Sequence, residues 1–445
     1  MRDLGRWLAP YRQPRVAAMV CLGFSAGLPF LLVFQTLTAW LAQSGVERGR
    51  IGLISLIGIT YSIKFFWAPV VDRLPLPGLT RALGRRRSWM LLAQCGLAAG
   101  LLGMALGDPA QDLQAMVLCA LLVAFASATQ DISIDAWRIE AAPASQQGAM
   151  AAAYQLGYRF GLIAAGTGAL VLAGEYGWRT SYGVMTALVG VGMFTTLLIP
   201  EPEASISRDT AVREQRVVDF LEAKAHWPAG LRRAGGWFIG AVVCPFVDFF
   251  ARNGLATGAL ILAFVGLFRV TDITMGVMAN PFYLAVGYTL QQIGVIAKGY
   301  GVVLSIVGAF AGGAAIARFG TIRSLIAGGI LVIASNLTFA TLAWSDSPSL
   351  SGLALVISAD NFASGFAGTA FIAYLSGLTN TAYTATQYAL FSSLFTLPGK
   401  LIASQSGYVA DAVGWPLFFL YTSALGIPAL VLLVWLTRRL PAPAK

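Results

Sequence analysis

Charge is what this chain has least of. Only 11% of its 445 residues are Asp, Glu, Lys or Arg, while 57% are hydrophobic and the mean hydropathy is +0.72. Soluble domains carry about 25% charged residues, so a soluble globular protein is excluded. Histidine is almost missing. The single one, His226, lies in a polar stretch, which removes histidine-based acid–base catalysis or metal binding from the apolar segments. The four cysteines (Cys21, Cys95, Cys119, Cys244) are isolated in apolar surroundings, with no pair at metal-ligand spacing. They read as small packing residues rather than disulfides or ligands. No Gly-x-x-x-x-Gly-Lys-Ser/Thr loop is present, so ATP-driven work by this chain alone is excluded. Alternating strand patterns of a membrane barrel are also absent, which leaves helices as the way to cross a bilayer.

What the chain has is long apolar runs. A span needs about 20 mostly apolar residues, and twelve segments qualify: 16–42, 51–71, 89–107, 113–135, 149–173, 181–199, 256–284, 294–317, 322–343, 350–375, 385–408 and 415–437. The opening Met-Arg-Asp-Leu-Gly-Arg leads into a first span too long for a signal-peptide core, so that span reads as retained. The expectation is an all-α polytopic membrane protein of twelve helices in two six-helix halves.

The net charge of +10 would fit a nucleic-acid binder, but its distribution does not. Of 30 Lys plus Arg, 21 fall on the N-terminus, the 2–3, 6–7 and 8–9 loops, and the C-terminus. By the positive-inside rule those segments, and both termini, are cytoplasmic. Nucleic acid is not an expected partner; the lipid bilayer is.

Six spans end near Pro200 and six begin near Ala256, giving units at 1–200, 201–255 and 256–445. In the middle unit, residues 207–227 can form a charged helix. Residues 237–251 form an apolar run, broken by Pro245 and Asp248, that is too short to cross and suits the membrane surface. The halves repeat in their loops. Asp72-Arg73 followed by Gly84-Arg85-Arg86-Arg87 is echoed by Gly312-Gly313, Arg318-Phe319-Gly320 and Arg323, without the Asp. Both resemble the loop motif of the major facilitator superfamily; a plain positive-inside loop is the competing reading. Spacings such as Gly23/Gly27, Gly157/Gly161 and Gly308/Gly312 favour close helix contact in lipid.

Seven charged residues sit inside these spans: Lys64, Asp131, Arg159, Arg269, Asp272, Asp360 and Lys400. Each costs roughly 2.5–3.5 kcal/mol at the bilayer centre. Such residues belong on a polar interior, along a pathway for something polar. Arg159 in span 5 and Lys400 in span 11 match in depth, and Asp131 in span 4 matches Asp360 in span 10. Matched polar positions in duplicated halves are the mark of an alternating-access site.

Arg159 and Lys400 have no acidic neighbour within a turn, so they point to an anionic substrate, with Lys64 and Arg269 as further contacts. Gln35, Gln130, Tyr158, Asn361 and Gln387 can hydrogen-bond sugar hydroxyls or amides, as can Tyr61, Tyr154 and Tyr388. Asp131, Asp272 and Asp360 are the candidate proton sites. Asp131 has two readings, a protonatable carboxyl and a buried ion pair with Lys64. Arg269 and Asp272 either neutralise each other or form a pair that a proton or substrate breaks. Asp131, Asp135 and Arg138 share one helix face. With Glu140, Asp72, Arg73 and Arg85, the residues Asp135 and Arg138 are expected to close the cytoplasmic side. No cofactor is called for, which leaves ion-gradient coupling or facilitated diffusion.

Several strings then read together: Gly23-Phe-Ser-Ala-Gly27-Leu-Pro29; Lys64-Phe-Phe-Trp67-Ala-Pro69-Val-Val-Asp72-Arg73; Ser127-Ala-Thr-Gln130-Asp131-Ile-Ser-Ile-Asp135-Ala-Trp137-Arg138; Leu156-Gly-Tyr-Arg159; Asp248-Phe-Phe; and Ala385-Thr-Gln387-Tyr-Ala-Leu390. This set resembles the AmpG-type muropeptide permeases of the major facilitator superfamily, from span 1 through span 11. The resemblance implies a permease of the bacterial inner membrane, and a monomer is the expected working unit. It would import N-acetylglucosaminyl-1,6-anhydro-N-acetylmuramyl peptides, anionic glycopeptides, with protons. A carrier for another organic anion, acetyl-CoA-like or an acidic sugar conjugate, is the alternative. Drug antiporters of the superfamily carry a Gly-Pro in span 5, which is absent here.

Overall fold

The computed structural model describes residues 13–46, 54–202, 217, 222–224, 228–345 and 349–439. His226 and nearly all of the expected helix at 207–227 lie outside the described residues. Among those described, nine helices are long and apolar enough to cross a membrane. One of them, Ala144–Leu198, is two spans joined end to end and broken at Gly177, whose φ of 81° is left-handed. The segment 54–73 and the helix Thr384–Ala403, which runs on to a second break at Gly414, complete a set consistent with the twelve of the hydropathy pattern.

The left-handed glycines make the duplication measurable. Gly84 (φ 85°) and Gly320 (φ 82°) are 236 residues apart, and Gly177 (φ 81°) and Gly414 (φ 76°) are 237 apart. Each pair turns the chain at the same place in its half, Gly84 and Gly320 before spans 3 and 9, Gly177 and Gly414 before spans 6 and 12. At Gly84 a side chain is excluded twice over, because the Glu201 side chain occupies the place of a Cβ.

This register corrects the matching of charges by sequence. Lys400 lies sixteen residues past the start of its helix at Thr384, whereas Arg159 lies twelve past Gln147. At 1.5 Å per residue Lys400 sits about 6 Å deeper along its helix. Asp360 falls ten residues into Leu350–Leu378 and Asp131 eighteen into Leu113–Ala141, so these two differ by about 12 Å. Neither pair is equivalent.

Each half has one helix pair in which glycines of both helices meet the backbone of the partner. Gly23 and Gly27 of span 1 face the backbone of Tyr154 and Tyr158, while Gly157 and Gly161 of span 5 face that of Val20 and Phe24. A Cβ at any of the four would overlap backbone atoms. In the second half the pair is spans 8 and 10, with Gly308 and Gly312 on Phe362 and Phe366 and Gly365 on Ser305. Span 2 is broken into the short pieces Ser55–Gly58, Ile59–Ser62, Lys64–Phe66 and Ala68–Arg73. Pro69 opens the last piece, where a missing N–H costs nothing.

The run 237–251 packs one side against protein, while Phe238, Val243 and Phe246 stay exposed. Its helix Cys244–Asn253 packs into the second half, with Cys244, Pro245, Asp248 and Phe249 buried. The Asp248 carboxylate accepts from Gln387 Nε2 (2.9 Å), Asn380 Nδ2 (3.1 Å) and Arg252 Nε (3.2 Å). Three donors offset the cost of burying this carboxylate, which would be expensive unpartnered.

Candidate functional site between the two halves

We call the end of the bundle that carries the described termini the linker face. There the two halves are bound together. Asp72, at the end of span 2, accepts from the backbone N–H groups of Ala385 (3.2 Å) and Thr386 (2.8 Å) and from Thr386 Oγ1 (2.8 Å), at the start of span 11. A carboxylate at a helix N-terminus meets both free N–H donors and the positive end of the helix dipole. Arg86 donates to Asp72 (2.8 Å) and to Glu140 (2.5 Å), tying spans 2, 3 and 4 together. Burial on its own would push the Asp72 carboxyl up, but Arg86, Arg85 and the Thr386 N–H outweigh it and hold the group below the usual carboxylate range. Arg85 donates to the Asp72 carbonyl (2.8 Å), and Arg73 lies over the Tyr383 ring at 5.4 Å.

One layer deeper, Arg138 donates to Ser376 Oγ of span 10 (2.7 Å) and Gln147 Oε1 (3.2 Å), pairs with Asp135 (3.4 Å) and lies 5.1 Å over the Tyr388 ring of span 11. The expected closing residues are thus all at this face. Glu140 takes Arg86 as its main partner rather than Arg85, which is 3.9 Å away. Arg86 belongs to the Arg85–Arg87 cluster expected to pair with the carboxylates of this face; sequence reasoning passed over Glu201, which accepts from the backbone N–H groups of Arg86 (2.7 Å) and Arg87 (3.1 Å) at the start of span 3.

Above this closed face lies a polar interior. On span 5, Gln155 and Arg159 are four residues apart and share a face. Gln155 Nε2 donates to Thr369 Oγ1 of span 10 (3.3 Å). The same amide and the Arg269 guanidinium of span 7 both approach Gly368. Arg269 pairs with Asp272 at 3.0 Å, both partly exposed. Asp360 lies within electrostatic reach of Asp272 and Arg269, and Arg159 within reach of Arg269. Arg159 has no carboxylate within salt-bridge distance among the described residues. Gln155 could have been found as the neighbour one turn before Arg159.

Lys64 is 8% exposed and makes no ion pair within 4 Å among the described residues. Its ammonium lies within reach of both Asp131 and Asp135, so the simple Lys64–Asp131 pair is not formed. Lys400, which is exposed, donates to Ser62 Oγ of span 2 (2.7 Å) and joins the halves along the seam. Tyr158 is half-buried beside Tyr154 and faces Asp131 and Arg159.

Three proposed substrate contacts are placed elsewhere. Gln130 is 0% exposed; it accepts from Ser25 Oγ (2.7 Å) and donates to the Ser25 carbonyl (3.0 Å), clamping spans 1 and 4. Gln387 is buried at the linker face, accepting from the Asn380 N–H (2.7 Å) and donating to the Pro245 carbonyl and Asp248. Asn361 donates to the Ile357 carbonyl of its own helix (3.1 Å) and packs toward Gly301. In each case a helix–helix or helix–backbone bond consumes the amide that a sugar would need. Gln35 is exposed near the end of span 1 away from the linker face. A groove of about 810 Å³ between spans 1 and 6, lined by Cys21, Phe194 and Leu198, is apolar and outside this interior.

This arrangement is that of a membrane carrier, two helical halves sharing one polar interior and closed at one face. The model of the Major Facilitator Superfamily matches residues 16–403. The anhydromuropeptide permease of Escherichia coli K12 is 35% identical over 431 residues, covering 96% of this chain and 81% of its own. The Rickettsia conorii chain named AmpG 4 is 33% identical over 433 residues, covering 96% and 98%. Among solved structures, the transporter FucP in the outward conformation superposes with a TM-score of 0.67 at 15% identity, covering 96% of this chain and 99% of its own. The chain belongs to the Major Facilitator Superfamily and, within it, to the AmpG-type permeases; it is a transporter and not an enzyme.

Proposed function

We propose that this protein imports anionic muropeptides, N-acetylglucosaminyl-1,6-anhydro-N-acetylmuramic acid and its peptides, across the bacterial inner membrane by proton symport. The reading has the linker face and both termini in the cytoplasm, a monomer as the working unit, and no cofactor beyond the proton gradient. The likeness to anhydromuropeptide permease gives the substrate class. The observation that carries the reading is charge. Three cations of the interior (Lys64, Arg159, Arg269), with the exposed Lys400 beside them on the seam, meet three carboxylates (Asp131, Asp272, Asp360), since Asp135 is taken by Arg138. Arg159 and Arg269 face each other from opposite halves with one carboxylate partner between them. A substrate carboxylate bridging them would favour closure of the halves around it. Gln155 and Thr369, already joined across the halves, would meet hydroxyls or amides.

Energy is sufficient. One charge moved through 100 mV is worth about 2.3 kcal/mol, so a gradient of ~150 mV supports roughly 300-fold accumulation per proton. The test is uptake of labelled N-acetylglucosaminyl-anhydromuramyl tripeptide into vesicles, with the proton gradient intact or collapsed. Accumulation that disappears with the gradient supports proton-coupled import. Folded protein that takes up nothing in either condition overturns the substrate assignment, and acidic sugar conjugates and acyl-CoA-like anions become the next probes.

A further inference from the structure

The groove between spans 1 and 6 takes no part in the polar interior, yet it is a built cavity. It measures about 810 Å³, and Ala17, Phe194 and Leu198 line it with exposed apolar side chains. From Arg15 to Cys21 it follows span 1 for about 9 Å. At the linker face it adjoins a second cavity of about 380 Å³, and the two share Arg15 and Pro200. The second cavity is polar, and two of its charges are left over. Arg15 gives one hydrogen bond, to the Ala141 carbonyl, and has no ion-pair partner among the described residues. That leaves most of the five N–H donors of its guanidinium open. Glu201 accepts backbone N–H groups, from Arg86 and Arg87, and likewise has no ion-pair partner among the described residues. Glu140, on the same wall, is already taken by Arg86. One guanidinium and one carboxylate thus line the same pocket without pairing. Span 1 begins there at Pro14 with no side-chain cap, so its first N–H groups add to the positive side.

An apolar groove ending in a polar pocket at the membrane edge has the outline of a lipid, and the charges select among headgroups. Arg binds phosphate through two parallel N–H bonds. A headgroup with phosphate alone would satisfy Arg15 but bring a second anion beside Glu201. A fully methylated nitrogen would neutralise Glu201 but has no hydrogen to donate to it. A headgroup with both a phosphate and a primary ammonium meets each group with its opposite. We propose that this groove binds one phospholipid of the leaflet at the linker face, with a phosphate and a primary ammonium in its headgroup. Its acyl chain lies on Ala17, Phe194 and Leu198, its phosphate meets Arg15, and its ammonium meets Glu201. The site rests on the chain's place in a membrane and is independent of the muropeptide and of the proton.

The probe is phosphatidylethanolamine, compared with phosphatidylglycerol and phosphatidylcholine of the same acyl chains, on delipidated full-length protein in detergent. Native mass spectrometry reads the bound fraction at each lipid concentration. Phosphatidylethanolamine is expected to bind at least fivefold more tightly than either of the others. Arg15→Gln should lower that affinity fivefold or more, while Arg15→Lys, which keeps the charge, should stay within threefold. Ala17→Trp fills the groove from an exposed position and should abolish the adduct. Glu201→Gln should bring phosphatidylethanolamine down to the level of phosphatidylcholine. Because Glu201 also caps span 3, that variant is read only where its lipid-free melt matches the unmodified protein; otherwise the Arg15 and Ala17 variants decide. Equal binding of the three lipids, or binding that neither Arg15→Gln nor Ala17→Trp weakens, means an annular lipid only, and the proposal fails. It also fails if phosphatidylglycerol binds most tightly. Binding that appears only after residues 1–12 are removed overturns it too, since the chain's own start would then be the occupant of the groove.

Discussion

The two halves share a topology but hold themselves together differently. In the first half, spans 1 and 5 meet backbone to backbone through four glycines, and span 2 is left in short pieces. In the second half the glycine contact joins spans 8 and 10, while spans 7 and 11 carry Pro281 and Pro398 within their helices. The less rigid members, span 2 of one half and span 11 of the other, face each other. They meet at Asp72 on Thr386 and again at Ser62 on Lys400. Duplication supplied the frame, and each half then fixed a different helix pair, which left the breakable elements on the shared seam. Function needs two halves that move as bodies and a seam that can part.

The largest effect should come from attacking the first-half contact. Gly157→Val puts side-chain atoms into the Val20 backbone, which cannot yield as a flexible side chain would. Beyond the usual 1–3 kcal/mol of overpacking, we expect loss of folded protein in detergent, read by size-exclusion profile and thermal melt. Next is the seam. Asp72→Asn removes the charge shared by Arg86 and the start of span 11, and breaking a buried pair costs about 3–5 kcal/mol. Crosslinking of cysteines placed at positions 73 and 383 should drop several-fold as the linker face opens.

The pH dependence of that closure follows from the same group. Asp72 is held below its unfolded value, so its contribution is complete above the unfolded carboxylate pKa and is lost as pH falls through the lower folded value. A melt series from neutral to acid pH should show this loss in the unmodified protein and a flatter acid limb in Asp72→Asn. A smaller effect is expected for Gly399→Ala, where the three atoms nearest the added methyl all belong to the Ile273 side chain. The change should be about 1 kcal/mol or less, with transport retained. Smallest of all is Arg323→Gln in the second loop copy, an exposed residue whose replacement should stay within about 0.5 kcal/mol by melting temperature.

Much of this was legible in the residues. Apolar length alone marked the spans, because the bilayer leaves backbone groups no alternative to helices. The clustering of Asp72, Arg85, Asp135, Arg138 and Glu140 at one face was legible because charges at span ends have few possible partners. Gln130 and Gln387 were misplaced because an amide inside a span satisfies a neighbouring helix as readily as a sugar, and spacing cannot tell the two apart. The false match of Arg159 with Lys400 came from comparing depth without a register. The paired glycines at 84 and 320 and at 177 and 414 supply that register only once their left-handed backbone is seen. Gln155 was missed because an uncharged residue in a span announces nothing until its partner Thr369 is known.

The span 1 to span 5 contact also has a consequence for biosynthesis. Gly23 and Gly157 are separated by 134 residues of chain, so the first helix leaves the ribosome long before its mate exists. At roughly 5–20 residues per second that interval is about 7–27 s. During it span 1 stands in the membrane with its glycine face uncovered. Gly308 and Phe362 are only 54 residues apart, so the second half waits less than half as long. Quality control of this protein therefore has most to guard in the first half, while an unfinished helix is waiting for its partner to be made.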